Sequence, residues 1–276
     1  SHDMPYMDKT LAFLDDLSPQ GWWDWRLQDD WEFISPKYWE FLGYDPETKR
    51  HHPSEWQALI DPEDAKRWGD EYRKHIESRG ENPPVVSGIV RYRRANGENA
   101  YVVCQGKVIE WDSEGNPVRM IGTHTDVTEA TLAKAKIEEQ ADLIQKAFEA
   151  SMHPCCIISL EGYFTKVNPA FVQLFGYAKE ELSHLTWQEI THKDDLASNI
   201  KILNGFLSGE IEKVEIEKRF VRRDGSVMPT RVHCEILKPK IGPPYFLMHV
   251  KDLTLEKELL REFRKLDSIG NGTSAE

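Results

Sequence analysis

Apolar and polar positions along the chain change period several times, and the order of those changes occurs twice. In the second half, residues 155–158 form a short apolar run, Glu161-Gly162 marks a turn, and 163–167 reads as a second strand rich in β-formers. Asn168-Pro169 opens a helix, because an Asn cap satisfies orphan amides and proline at the first helical position loses no hydrogen bond. That helix carries Phe171, Leu174 and Phe175 at three-to-four spacing and stops at Gly176. Short helical turns are predicted around 180–182 and 187–190. A longer amphipathic helix led by Asp194 follows, bearing Leu196, Ile200, Leu203 and Leu207 and ending at Gly209. Alternating runs then occupy 214–221 and 227–237 around an Asp224-Gly225 hairpin turn, and 245–250 after Gly242-Pro243-Pro244.

The first half repeats the pattern: strands at 22–27 and 31–34, helices at 36–43 and 62–78, and strands at 85–93, 100–111 and 118–125. Landmarks align without gaps, Pro36 and Phe41-Leu42-Gly43-Tyr44 with Pro169 and Leu174-Phe175-Gly176-Tyr177. Trp56 and Asp64 answer to Trp187 and Asp195, Arg94-Ala95-Asn96-Gly97 to Arg222-Arg223-Asp224-Gly225, and Asp126-Val127-Thr128 to Asp252-Leu253-Thr254. A period of about 130 residues is a domain duplication, since each unit is large enough to bury its own core. Two strands, several helices and three strands make an antiparallel sheet with helices on one face, so the fold class is α+β. The predicted division is a tag and lead-in helix at 1–19, domains at 20–127 and 152–253, a connecting helix at 128–151, and a terminal helical stretch at 254–276.

Within the connector, Ile137, Ala141, Ile144 and Phe148 fall at 4-3-4 spacing, a heptad seam bordered by Lys, Glu and Gln. Leu259, Phe263 and Leu266 begin a second seam. Charged flanks favour a parallel homodimer through these helices over packing of each stripe on its own domain.

Composition narrows the function classes. The 276 residues are 39% hydrophobic and 30% charged, which is soluble globular material, and no apolar run reaches the roughly 18 residues of a membrane span. Ser1-His2-Asp3-Met4 reads as a cloning remnant. A formal charge of −12 argues against a nucleic-acid partner. The basic run Lys218-Arg219-Phe220-Val221-Arg222-Arg223 reads as a solvated strand end. Cys104, Cys155, Cys156 and Cys234 lack metal-ligand spacing and point to a reducing, cytoplasmic setting, with the vicinal pair acting as small hydrophobes. His153, His233 and His249 are too scattered to assert a metal site, and His51-His52 and His75 read as solvated. Paired carboxylates, a nucleophile with its base, and a phosphate-binding glycine loop are all missing from the sequence pattern, so no catalytic residues are assigned.

The order strand-strand, Asn-Pro helix ending in Phe-Gly-Tyr, a Trp, an acidic-led helix, a basic hairpin with Asp-Gly, and a closing Asp-x-Thr resembles the PAS sensory domain, over about residues 20–130 and 150–255. The resemblance implies, in each repeat, a five-stranded sheet that with its helices encloses a small-molecule pocket, and signalling helices leaving from the Asp-x-Thr. Thr128 and Thr254 can then cap those helices while Asp126 and Asp252 couple sheet to helix, which makes the four the expected relay residues. The run Arg264-Lys265-Leu266-Asp267-Ser268-Ile269-Gly270-Asn271 is similar to the start of the dimerisation helix of bacterial sensor histidine kinases. Gly272-Thr273-Ser274-Ala275-Glu276 departs from it and lacks the phospho-accepting His, so the expected output is a C-terminal kinase domain that this chain does not include. A diguanylate cyclase output and a ligand-free dimerisation or docking module are the alternatives, with a stand-alone flavoenzyme third.

Cofactors implied by the resemblance can be weighed against the residues. Photosensors that attach flavin to a thiol need a Cys after the Gly-Tyr helix, and neither 45–64 nor 178–195 contains one. Haem versions need an axial His in the long helix; the second repeat has none there, and His75 lies at the end of the first. Non-covalently held FAD stays open for the first repeat, where Trp39, Trp56 and Trp68 are the candidate contacts in a tryptophan-rich segment and Ser87-Gly88-Ile89-Val90 resembles flavin-binding relatives, although Val86 replaces their Trp. Simple core packing of the aromatics is the competing reading. In the second repeat the candidate pocket residues are Phe171, Trp187, Leu203, Val232, Cys234, Phe246 and Met248, with Asn168 and Thr230 as the scarce polar groups, a composition suited to a small organic ligand.

Overall fold

The computed structural model describes residues 9–273. Ser1-His2-Asp3-Met4 and the last three residues, on which two of the expectations above fall, lie outside the described residues. The chain divides into two compact units, with the boundary after Glu139.

In the first unit, helix α1 (Lys9–Leu17) precedes β1 (Trp22–Arg26) and β2 (Trp31–Ile34). Helices α2 (Pro36–Leu42), α3 (Ser54–Gln57) and α4 (Pro62–Glu77) come next, then β3 (Val86–Arg93), β4 (Asn99–Trp111) and β5 (Pro117–Asp126). The sheet order is β2-β1-β5-β4-β3, antiparallel throughout. Alternation along β1 separates its tryptophans. Trp23 enters the core under the α2–α4 helices, whereas Trp22 packs with Phe33 and Leu11 of α1.

The second unit repeats the order with β6 (Cys155–Ser159), β7 (Phe164–Val167), α6 (Pro169–Phe175), α7 (Lys179–Leu182), α8 (Lys193–Ser208), β8 (Lys213–Val221), β9 (Val227–Leu237) and β10 (Tyr245–Asp252). Its sheet runs β7-β6-β10-β9-β8. Helix α5 (Thr128–Ala150) follows the first sheet and α9 (Thr254–Thr273) the second. Two five-stranded antiparallel α+β domains, as expected, are therefore the architecture.

Local chemistry explains the element ends. Asn168 Oδ1 accepts from Phe171 N at 3.0 Å and caps α6, and it also accepts from Cys155 N at 3.0 Å, tying the helix start to β6. Ser35 Oγ takes the matching bond from Trp22 N in the first unit. Asp61 caps α4 through Glu63 N and Asp64 N. Two details differ from the sequence reading. Helix α8 is capped by the His192 ring, which accepts from Asp194 N at 3.1 Å, so Asp194 is inside the helix. Residues 187–190 form a turn without helical bonding, fastened by Thr191 Oγ1 donating to Trp187 O at 2.7 Å.

Candidate functional site

One salt bridge fixes the geometry of both units. Arg219 gives its main-chain N–H, Nε and Nη2 to the Asp195 carboxylate at 2.7, 3.1 and 2.8 Å, pinning α8 to β8. In the first unit Arg91 does the same to Asp64, pinning α4 to β3. The bidentate geometry is the strong form of such a pair. Each arginine points outward, so the residue before it on the strand points inward: Val90 in the first unit and Lys218 in the second. The reading of Lys218 as part of a solvated strand end is thus corrected. Only its neighbours alternate out, and Lys218 itself is buried.

Between the second sheet and α8 lies a cavity of about 70 Å³. Six of the expected pocket residues line it: Trp187, Leu203, Val232, Cys234, Phe246 and Met248. Phe171 does not; it stacks on Phe175 at 4.2 Å in the core. Asn168 is likewise outside, its side chain fully used by the cap and by donation to Phe148 O and His153 O. Thr230 donates to Lys218 O and does not line the cavity. Ile158, Ile202, Phe206, Val214 and Ile216 complete the apolar wall.

Two polar lining residues were missed in the sequence reading, Lys218 and Asn199, although strand alternation with Val214 and Ile216 and helical spacing to Leu203 would have found them. Lys218 Nζ donates to Thr191 Oγ1 at 2.8 Å and lies over the Phe220 and Trp187 rings, 4.3 and 5.1 Å from their centroids. Among the described residues no carboxylate pairs with it, because Asp195 is engaged by Arg219. Burial pushes the Lys218 ammonium down to about 7, against a smaller opposing pull from Asp195. Asn199 is 8% exposed and its Oδ1 has no hydrogen-bond partner, while Nδ2 makes only a 3.5 Å contact with Ser198 Oγ. Burial also raises the Cys234 thiol to about 11, which keeps it protonated and unreactive.

The corresponding cavity of the first unit is about 20 Å³, lined by Trp23, Trp25, Trp56, Trp68 and Glu32 among others. On a scale where one water needs about 10–15 Å³, it has room for one water. Position-by-position differences explain this. Trp23 faces Gly122, which pairs with Gly106, and a Cβ on either glycine would overlap the indole. Cys156, Met248 and Cys234 occupy the same ladder positions in the second unit, and no indole crosses that sheet. Four residues after the clamping aspartate, Trp68 fills the first unit where Asn199 stands in the second. Trp23 meets Trp68 edge to face, and Trp68 stacks on Tyr72.

Trp56 donates its indole N–H to buried Glu32, and Trp39 is core, with Lys49 4.9 Å from its ring centroid. An isoalloxazine ring is far larger than this cavity, so the residues present do not fit FAD. His75, expected to be solvated, is buried: its Nδ1 bonds Pro83 O at 2.9 Å and its Nε2 accepts from Val108 N at 3.1 Å. Nδ1 fastens the loop after α4 and Nε2 holds α4 to β4, which leaves neither for an axial bond. His233 and His249 pair across β9 and β10 with centroids 6.4 Å apart, and among the described residues no three-residue metal cluster forms.

The Asp-x-Thr triplets sit where each sheet becomes a helix. Asp126 Oδ1 accepts from Thr128 N and Oγ1 at 3.0 and 2.6 Å, and Thr128 Oγ1 accepts from Tyr101 N of β4 at 2.9 Å. Asp252 Oδ1 accepts from Thr254 N and Oγ1 at 2.9 and 2.6 Å, and its Oδ2 accepts from Arg222 at 3.1 Å. Leu253 N donates to Pro229 O of β9 at 2.9 Å. No described residue of α5 is buried, and Ile137 and Ile144 are 65% and 70% exposed. No helix among the described residues is long and apolar enough to cross a membrane.

A family model described as the PAS fold matches residues 32–124 and 164–250. Among curated proteins, "Probable diguanylate cyclase DgcE" of Escherichia coli (strain K12) is 30% identical over 118 residues, 42% of this chain and 11% of that protein. "Sensor histidine kinase TmoS" of Ectopseudomonas mendocina is 20% identical over 115 residues, 42% of this chain and 12% of that protein. The matched segments are thus a small part of both. Solved structures include a sensory box histidine kinase/response regulator from Burkholderia thailandensis E264, 22% identical with a TM-score of 0.42, covering 49% of this chain and 97% of that one. A PAS domain of an HTR-like protein from Haloarcula marismortui is 25% identical with a TM-score of 0.37, covering 44% and 98%.

Proposed function

Because the chain belongs to the PAS fold family through both of its repeats, we propose that it is the sensory input region of a bacterial signal-transduction protein, with the ligand site in the second repeat. The observation that carries this reading is the contrast between the units: tryptophans occupy the interior of the first, whereas the second keeps a cavity of about 70 Å³ beside its sheet. The first unit then serves as a packed, structural domain, and the second as the sensor.

The relay runs along the strand ladder and ends in the Asp252 carboxylate at the start of α9. Cavity residue Lys218 pairs with Thr230, Thr230 pairs with Asp252, and Asp252 caps α9 through Thr254. A ligand that shifts β8 relative to β9 therefore acts on the first turn of α9. Such a signal is a population shift and requires a ligand with unequal affinity for two arrangements of that turn. Exposed seams on α5 and α9 support a parallel homodimer, in which Ile137, Ile144, Leu259, Phe263 and Leu266 are covered by a second copy.

A C-terminal histidine kinase is the output favoured by the tail after Phe263. The 30% identity to a protein named as a probable diguanylate cyclase favours that output as a second reading. The test of the sensor assignment is mass spectrometry of small molecules released by heat from the freshly purified chain, with an absorbance spectrum taken first. A colourless protein that releases a small organic molecule, and a Cys234→Trp variant that releases none, is the expected result. A flavin band near 450 nm, or equal release from the variant, would transfer the site away from this cavity.

A further inference from the structure

The second cavity contains a charge with no counter-charge. Its wall is apolar apart from Lys218 and Asn199, and both are more than nine-tenths buried. A buried ammonium without a carboxylate partner is costly, and a buried carbonyl oxygen without a donor adds to that cost. Lys218 offers three N–H donors, of which Thr191 Oγ1 takes one. The remaining donors are those an anionic oxygen requires. Asn199 can turn its amide by half a rotation about χ2, losing only the 3.5 Å contact to Ser198 Oγ, and then also presents N–H to the cavity.

From this geometry, and resting on the reading of the cavity as a ligand site, we infer that the second repeat binds a small apolar monocarboxylate, its carboxylate on Lys218 Nζ with Asn199 as second donor and its hydrocarbon body along Leu203, Phe246 and Met248. Size sets the class. A cavity of about 70 Å³, several times the roughly 10–15 Å³ that one water needs, suits a short aliphatic or monocyclic aromatic acid and is too small for a long acyl chain. A dicarboxylate is excluded by the wall opposite Lys218, which has no second cation: the arginine next in sequence, Arg219, is committed outward to Asp195. The aromatic faces of Trp187 and Phe220 already hold the ammonium in place, so it is positioned before the ligand arrives.

The experiment uses the full chain and two matched pairs of probes, hexanoate with hexanamide and benzoate with benzamide, titrated by NMR against the wild type and Lys218→Met. Removing the buried charge for an apolar side chain of similar length leaves the fold intact, which the unchanged chemical-shift dispersion and melting temperature verify. The expected result is that an acid binds the wild type at least tenfold more tightly than its amide, and that the preference disappears in Lys218→Met. Acids and amides binding the wild type equally would overturn the carboxylate assignment while leaving the cavity as a ligand site. Binding of neither pair would overturn both. An acid preference that survives in Lys218→Met would assign the anion to another group and overturn the role of Lys218.

Discussion

Thr230 donates its hydroxyl to the main-chain carbonyl of Lys218 at 2.8 Å, and the same threonine stands opposite Asp252 on the other neighbouring strand. A cavity residue and the cap of α9 are thus one strand apart on each side of a single buried side chain. Thr230→Val removes that bond with little change in shape, and the expected cost is about 1 kcal/mol in urea unfolding. The variant is expected to bind cavity ligands while transmitting less of the signal to α9, which amide exchange of the Thr254 turn measures.

Lys218 makes ligand affinity depend on pH in a fixed direction. A bound carboxylate raises the Lys218 value above the roughly 7 of the free protein, so binding takes up a proton above that pH. Facing it are the Asp195 carboxylate, neutralised by Arg219, and Cys234, whose thiol stays protonated to about 11. Affinity for hexanoate is therefore expected to be flat from about pH 5.5 to 7 and to fall by up to tenfold per unit above it. Affinity for hexanamide is expected to stay level, and calorimetry at several pH values checks both.

Glu32 tests the first unit in the opposite sense. Burial raises its carboxyl to about 8, partly offset by the Trp56 N–H and reinforced by Asp24. An acid whose folded value is raised costs stability as pH climbs from its unfolded value, 4.5, to about 8. Glu32→Gln is expected to melt higher than wild type at pH 8, with the gap closing towards pH 5 at about 1.4 kcal/mol per unit.

Packing around Trp23 is expected to be strongly non-additive. Gly106→Ala places a methyl in the Trp23 ring and is expected to cost several kcal/mol. In the Trp23→Leu background the same change is expected to cost far less, because the obstructing ring is gone. A double-mutant cycle by thermal unfolding measures the difference.

Exposed apolar positions on α5 give a test of assembly. Ile144, 70% exposed, is covered in the proposed dimer. Ile144→Glu is expected to convert dimer to monomer in light scattering, and an unchanged dimer would refute the seam.

The duplication, both sheets and the Asp-x-Thr turns were legible because they rest on local signals: period, Asn-Pro and Asp-Gly punctuation, and cap chemistry. Val232, Cys234, Phe246 and Met248 were legible by strand alternation, Leu203 by its helical face, and Trp187 by its match to Trp56 in the first repeat. Phe171 shared the helical pattern yet serves the core, since period gives a face but not the depth along it, and the cap read for Asn168 uses up the side chain that was also assigned to the pocket. Lys218 was read with its basic neighbours, although the alternation of Val214, Ile216 and Phe220 already sets it on the inner face, and the outward Asp195–Arg219 clamp agrees. The burial of His75 was hidden because one partner, Val108 N, comes from a strand 33 residues away and the other, Pro83 O, from the loop that folds back after α4. The filling of the first unit depends on Gly106 and Gly122 standing side by side, a register relation that sequence order alone does not display.

In the proposed sensor the second cavity, and not the first, communicates with the outgoing helix. Hydrogen–deuterium exchange of the full chain with and without saturating hexanoate measures it directly. Altered protection is expected in β8, β9 and the first turn of α9, Thr254 to Lys257, with the peptides around Trp23, Trp56 and Trp68 unchanged. Protection confined to the tryptophan-lined first unit, or cavity binding that leaves the Thr254 turn unaffected, would contradict it.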